Sequence, residues 1–152
     1  MVEQTAETYS AFFDTNVLGV LLSMKHELRE MTARGSGSVI NISSTAGSKA
    51  IAGASVYCGS KHAVEGITKA AALEVAASGV RVNAVAPGPI ETGMLNRFVG
   101  SEDGKAGIVA NVSLKRVGMP EEIAQAIVFI SSDNAAFITG QILGVDGGKT
   151  AQ

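Results

Sequence analysis

Ser38-Val39-Ile40-Asn41-Ile42-Ser43, the small-residue loop Ser44 to Ser55, and Val80-Arg81-Val82-Asn83-Ala84-Val85 are the stretches that decide the fold of this chain. Both six-residue runs are short and rich in β-branched residues, the signature of a strand. Between them the pattern predicts a helix from about Val56 to Ala77, with Gly79 as its stop signal. Strand, helix and strand in that order form a βαβ unit, which requires a parallel sheet. Toward the N-terminus, apolar residues recur at Phe13, Val17, Val20, Leu21, Met24, Leu28 and Met31, the spacing of one long helix, with Thr5 as its N-cap and Gly35 to Gly37 as its end. The middle of that helix, Val17 to Leu22, is apolar all round, so a sheet on one side cannot satisfy it and a second helix is expected on the other. Toward the C-terminus, Pro87-Gly88-Pro89 stops the second strand, and Thr92 to Arg116 has the Gly-interrupted character of a mobile flap. Pro120 then opens a helix with Ile123, Ala126, Ile127 and Ile130 on its core face, and Gln141 to Val145 is a third strand.

Composition narrows the function classes. The chain has 152 residues, a formal net charge of −2 and 46% hydrophobic residues. These values suit one domain with an ample core and speak against a dedicated nucleic-acid binder. Its most membrane-like uncharged run, Val17 to Met24, is far shorter than the roughly 20 residues of a spanning helix, so no membrane partner is expected. The first residues, Met1 to Glu7, include acidic residues and no apolar run of the kind a secretory signal carries. A single cysteine, Cys58, excludes an internal disulfide. Together these features favour a cytoplasmic location. No repeat or linker divides the chain, so residues 1–152 are expected to form a single domain.

Tyr57 and Lys61 stand four residues apart on the predicted second helix, so their side chains share a face. Ser44 lies at the end of the first strand, where α/β sheets place reacting groups, and Pro87-Gly88 follows the second strand at the corresponding end. The combination suits proton transfer. A free phenol holds its proton up to about pH 10, a nearby ammonium favours the phenolate, and a hydroxyl can stabilise an oxygen on which negative charge develops.

In these motifs the chain resembles the short-chain dehydrogenase/reductase family. Gly37 to Ser44 resembles the family's serine strand, Tyr57-Cys58-Gly59-Ser60-Lys61 its Tyr-Lys helix, and Arg81 to Gly88 the strand leading to the nicotinamide. Asp14 to Gly19 resembles the helix that supplies the catalytic asparagine, and Thr139-Gly140-Gln141 with Val145-Asp146-Gly147-Gly148 resembles the closing strand. The resemblance implies an α/β fold, a partial Rossmann-type doubly wound parallel sheet of three strands with flanking helices. It implies hydride transfer between NAD or NADP and a small-molecule alcohol or carbonyl substrate. By the same resemblance Tyr57 is the acid/base, Lys61 and Ser44 are its partners, and Asn16 links Lys61 to solvent through a water held by its main chain. Tyr57, Lys61, Pro87, Gly88, Ile90 and Thr92 would contact the cofactor, Ile90 by its main chain and Thr92 by its hydroxyl. The equivalent helix pair in the family forms the commonest subunit interface, which implies a homodimer or homotetramer through the helices Ala11 to Met31 and Val56 to Ala77.

The family's glycine-rich phosphate turn, Thr-Gly-x-x-x-Gly-x-Gly, occurs nowhere in residues 1–152, nor does its Asn-Asn-Ala-Gly motif. The resemblance is therefore to the C-terminal, catalytic half, and the competing expectation is an inactive fragment that acts only as a helix-mediated interaction module. The remaining polar residues have plain readings. His62 stands four residues after Cys58, but no third ligand is spaced to complete a metal site, so none is expected. His26 has no partner at useful spacing. Glu121 and Glu122 behind Pro120 suit the positive end of a helix, and Lys115-Arg116 reads as a solvated charge pair.

Overall fold

The computed structural model describes residues 1–151, with Glu102 described by its backbone alone. Its elements are α1 (Ala6–Phe13), a π-helical segment (Asp14–Leu18), α2 (Gly19–Arg34), β1 (Gly37–Ile42), α3 (Ser55–Val75), β2 (Val80–Pro87), α4 (Gly93–Val99), α5 (Glu102–Ala110), α6 (Pro120–Ser131) and β3 (Ile142–Val145). The three strands are parallel in the order β1-β2-β3. This is the α/β architecture expected from the sequence.

Side chains on a strand alternate between faces. Val80, Val82 and Ala84 of β2, with Val39 and Asn41 in register on β1, turn toward α2 and α3, where Met24, Ala71, Ala72 and Val75 complete the core. The same face carries a buried polar link in which Asn41 Nδ2 donates to Thr68 Oγ1 at 2.9 Å. Arg81 and Asn83 point to the other face and bind the segment that follows α6. The Arg81 guanidinium donates to the carbonyls of Ile130, Ser131, Ser132 and Ile138 at 2.9–3.2 Å. It thereby satisfies the orphan carbonyls at the end of α6 and places a cation at the negative pole of that helix.

Two expectations need correction. The first helix is not uniformly α-helical. Thr5 caps it as expected, accepting from the Thr8 N–H at 3.2 Å, but at Asp14–Leu18 the helix widens by one residue and the Gly19 N–H returns to the Asp14 carbonyl. One added residue leaves the three-and-four spacing of apolar positions nearly intact, so periodicity does not reveal it. The expected irregular flap contains two helices. Thr92 caps α4 by accepting from the Leu95 N–H, and Ser101 caps α5 by accepting from the Gly104 N–H, so local capping overrides the glycines. Lys115 and Arg116 are exposed, as solvated charges are, and Arg116 is also paired. It forms a two-pronged ion pair with Glu122 at 2.6 and 2.7 Å, and Glu122 also accepts from the Met119 N–H at 2.7 Å. Those bonds, the Arg116 contact foremost, hold the Glu122 carboxyl down to about 2.

The packing demand of the first helix is only half met. Met24 is buried against the sheet, but Leu18, Leu21 and Leu22 remain 45%, 48% and 46% exposed. Among the described residues β1 pairs only with β2, leaving its other edge open. No helix among them is long and apolar enough to cross a membrane.

Candidate active site

Parallel pairing brings the C-terminal ends of β1 and β2 to one edge of the sheet, with Ile42 opposite Val85. Chain beyond that edge carries Ser44 from β1 and Pro87-Gly88 from β2. Ser44 is extended, at φ −168° and ψ 161°, and its Oγ accepts from the Ala46 N–H at 3.1 Å, capping the short turn Thr45–Gly47.

The first turns of α3 dock over this edge. Lys61 donates from Nζ to the Ile42 carbonyl at 3.0 Å, two residues before Ser44. Burial pushes the Lys61 ammonium below its ordinary value. The same Nζ lies 5.9 Å from the centroid of the Tyr57 ring. The Tyr57 ring is met edge-on by Phe12 of α1 at a centroid distance of 5.9 Å, which restricts its rotation.

Asn16 sits within the π-helical segment. Its Nδ2 donates to Ser60 Oγ at 3.0 Å, and Ser60 Oγ donates to the Tyr57 carbonyl at 2.8 Å. The widened turn is thus bonded to the helical turn that carries Tyr57 and Lys61. Ser60, fully buried, was not singled out by sequence reasoning. Its position between Tyr57 and Lys61 was the available signal.

Gly88 is held tightly between strands. Its N–H donates to the Val145 carbonyl at 3.0 Å, and a Cβ there would stand 2.7 Å from the Asp146 Cα, so the backbones approach as only glycine allows. Ile90 forms a parallel bridge to Gly118 through the Pro89 carbonyl and the Glu91 N–H. That pattern turns the Ile90 N–H away from Gly118. The Thr92 hydroxyl donates to the Ile90 carbonyl at 3.3 Å and accepts from the Leu95 N–H at 3.3 Å. Lys105 of α5 is paired with Glu91 between Ile90 and Thr92, tying the flap to the segment.

The structure therefore gathers Asn16, Tyr57 and Lys61 through Ser60 and the start of α3, sets Ser44 at the adjoining strand end, and places Pro87, Gly88, Ile90 and Thr92 along the chain leaving β2. The Cys58–His62 pair makes no thiol contact of the kind a nucleophile needs. His62 Nδ1 meets the Cys58 carbonyl at 2.9 Å. No cluster of three metal-capable side chains occurs among the described residues.

A family model described as enoyl-(acyl carrier protein) reductase matches residues 1–150. The chain is 44% identical over 138 residues to cis-4-hydroxycyclohexanecarboxylate dehydrogenase of Sinomonas cyclohexanicum, covering 91% of this chain and 55% of that protein. Among solved structures it matches a short chain dehydrogenase/reductase family protein at 40% identity and a TM-score of 0.92. It matches ElxO with NADP bound at 34% identity and a TM-score of 0.93. All of this chain and 62% of each of those chains are covered. The chain thus spans a little over half the length of the proteins it matches.

Proposed function

The chain belongs to the short-chain dehydrogenase/reductase family, and from that membership we propose that it carries the catalytic half of an NAD- or NADP-dependent oxidoreductase acting on an alcohol or carbonyl substrate. Residues 1–152 would then form one partial Rossmann-type unit, in a protein placed in the cytoplasm. The observation that carries this reading is the docking of the Tyr57–Lys61 turn of α3 onto the end of β1, where the Lys61 ammonium binds the Ile42 carbonyl two residues before Ser44.

When bound, the nicotinamide supplies the hydride acceptor for alcohol oxidation and the donor for carbonyl reduction. The Ile90 N–H and the Thr92 hydroxyl would hold its carboxamide, Pro87 and Gly88 would line its ring, and Tyr57 and Lys61 would contact its ribose. Tyr57 takes the alcohol proton during oxidation and returns it to the carbonyl oxygen during reduction. Lys61 sets a positive charge beside the Tyr57 ring, and Ser44 donates a hydrogen bond to the substrate oxygen. Asn16 holds the helical turn of Tyr57 through Ser60 and leads the proton path from Lys61 to solvent. An assay of the restored full-length protein that follows nicotinamide absorbance with NAD and NADP, against a panel of cyclic secondary alcohols and their ketones, tests the reading. Absence of turnover with every pair, in protein that binds coenzyme, would count against it.

Two further outcomes are expected. Residues 1–152 by themselves hold no glycine turn for a pyrophosphate, and the contacts above cannot replace a helix N-terminus built for one. Calorimetry with either coenzyme should therefore give millimolar affinity or weaker, about 4 kcal/mol or less, and micromolar binding would refute this. The chain is also expected to associate as a homodimer, or a homotetramer built on it, through α1–α2 and α3. The half-exposed Leu18, Leu21 and Leu22 and the family resemblance point to that surface. Sedimentation should show dimers at tens of micromolar, and Leu18→Glu with Leu22→Glu should convert them to monomers. A dimer that survives both changes would place the interface elsewhere.

A further inference from the structure

We propose that Glu65 is a positioning residue for Ser44, an inference that rests on the catalytic reading above. Glu65 follows Lys61 by one turn and Tyr57 by two on α3, so the three share one side of a single rigid element. Its carboxylate is buried, with the residue only 7% exposed. Burying a carboxylate is costly unless hydrogen bonds compensate it, and here Ser43 Oγ donates to Glu65 Oε1 at 2.8 Å. Ser43 is itself buried and is the residue immediately before Ser44.

Gly47, at the far end of the turn, completes the arrangement. Its backbone has no left-handed φ that would call for glycine. What calls for it is space, because a Cβ there would stand 2.6 Å from Glu65 Cδ and 2.6 Å from Ser43 Oγ. Glu65 thus presses on both ends of the segment 43–47, through a hydrogen bond at Ser43 and through van der Waals contact at Gly47.

Elsewhere the turn is anchored to β2 at Ser43, whose N–H donates to the Val85 carbonyl at 2.8 Å, and to itself through the Gly47 N–H and the Ser44 carbonyl, also at 2.8 Å. Extended backbone at Ser44 sends the side chains of residues 43 and 44 to opposite sides. When Ser43 is pulled toward α3 by Glu65, the Ser44 hydroxyl is directed away from that contact. The clamp refers Ser44 to the same helix that carries Tyr57 and Lys61, and so sets the spacing among the three. Catalysis is sensitive to displacements of about 1 Å at such groups.

Glu65→Ala and Glu65→Gln in the restored full-length protein test this, with Ser44→Ala as a second background and Tyr57→Phe as the control. Glu65→Ala should lower kcat about tenfold or more while KM for coenzyme stays within about twofold. Glu65→Gln, whose amide oxygen still accepts from Ser43, should recover most of that loss. In the Ser44→Ala background Glu65→Ala should cost no further turnover, because it acts only through Ser44. Should Glu65→Ala fail to fold, Ser43→Ala carries the test. It should lower kcat and speed hydrogen exchange of the Ala46 and Gly47 amides by about tenfold, with β2 amides unchanged.

Normal kcat in Glu65→Ala, or in Ser43→Ala when that variant carries the test, beside an inactive Tyr57→Phe overturns this inference and leaves the catalytic reading standing. Equal losses from Glu65→Ala with and without Ser44 overturn it as well. A Tyr57→Phe variant with full turnover removes the premise, and the inference falls with it.

Discussion

In the restored full-length protein, Tyr57→Phe is expected to lower turnover by about 10² to 10⁴-fold, the usual contribution of a positioned acid/base, while leaving the fold and coenzyme binding largely intact. Only the phenolic oxygen is lost. The ring that Phe12 meets edge-on at 5.9 Å is kept, as are the backbone carbonyl that accepts from Ser60 and the Lys61 bond to Ile42. No described hydrogen bond depends on the hydroxyl, so thermal unfolding should be nearly unchanged. The loss should appear in kcat and kcat/KM alike, as it does when a group acts only in the transition state. Near-normal turnover at saturating substrate would sink the assignment of Tyr57.

Asn83→Ala is expected to be the most destabilising of the single changes considered. Asn83 is fully buried in the middle of β2, on the face opposite α3. Its Nδ2 donates to the Ile138 carbonyl at 2.9 Å, and its Oδ1 accepts from the Gln141 N–H at 2.9 Å. One side chain therefore fastens both ends of the segment that delivers β3 to the sheet. Alanine would leave the Gln141 N–H without its partner and the Ile138 carbonyl with its Arg81 bond alone, at a cost of about 1–3 kcal/mol. In a domain of this size that lowers the melting temperature by about 3–10 °C. A calorimetric shift below about 2 °C would show that water or a rearranged loop replaces the amide.

The strands were the most legible part of the sequence. Val39, Ile40 and Ile42, like Val80, Val82 and Val85, make short branched runs with turn residues on either side, and a run of that kind states its conformation locally. The Thr5 cap and the glycine ends of the helices were readable for the same reason. The π-helical segment was not, because Val17, Val20 and Met24 keep helical spacing across it. In the flap, Gly93, Gly100, Gly104 and Gly107 depress helix propensity, and the signal that could have been read is the pair of caps, Thr92 and Ser101, nine residues apart.

At the site, motif order indicated which strand end and which helix turn would meet. Contacts between residues distant in sequence were out of reach. Nothing in the local sequence says that Ser43 faces Glu65 across 22 positions, that Asn16 reaches Ser60 across 44, or that Arg81 gathers carbonyls some 50 residues on. Such pairings are set by the packed sheet and become visible only once it is assembled.

The widened turn at Asp14–Leu18 gives the first helix something like a reading frame. Each α-helical residue advances the side chain by about 100° around the axis, so one supernumerary residue resets the phase of everything on one side of it relative to the other. Phe12 and Phe13 keep their approach to α3 in one phase, and Met24, Leu28 and Met31 keep theirs to the sheet in another. Forcing Asp14–Leu18 into regular α-turns at the same length would swing one flank round by about 100° relative to the other, whereas deleting one residue there would keep both flanks in phase and cost only the widened turn that carries Asn16. This stretch is where the helix can lose a residue without turning either of its ends.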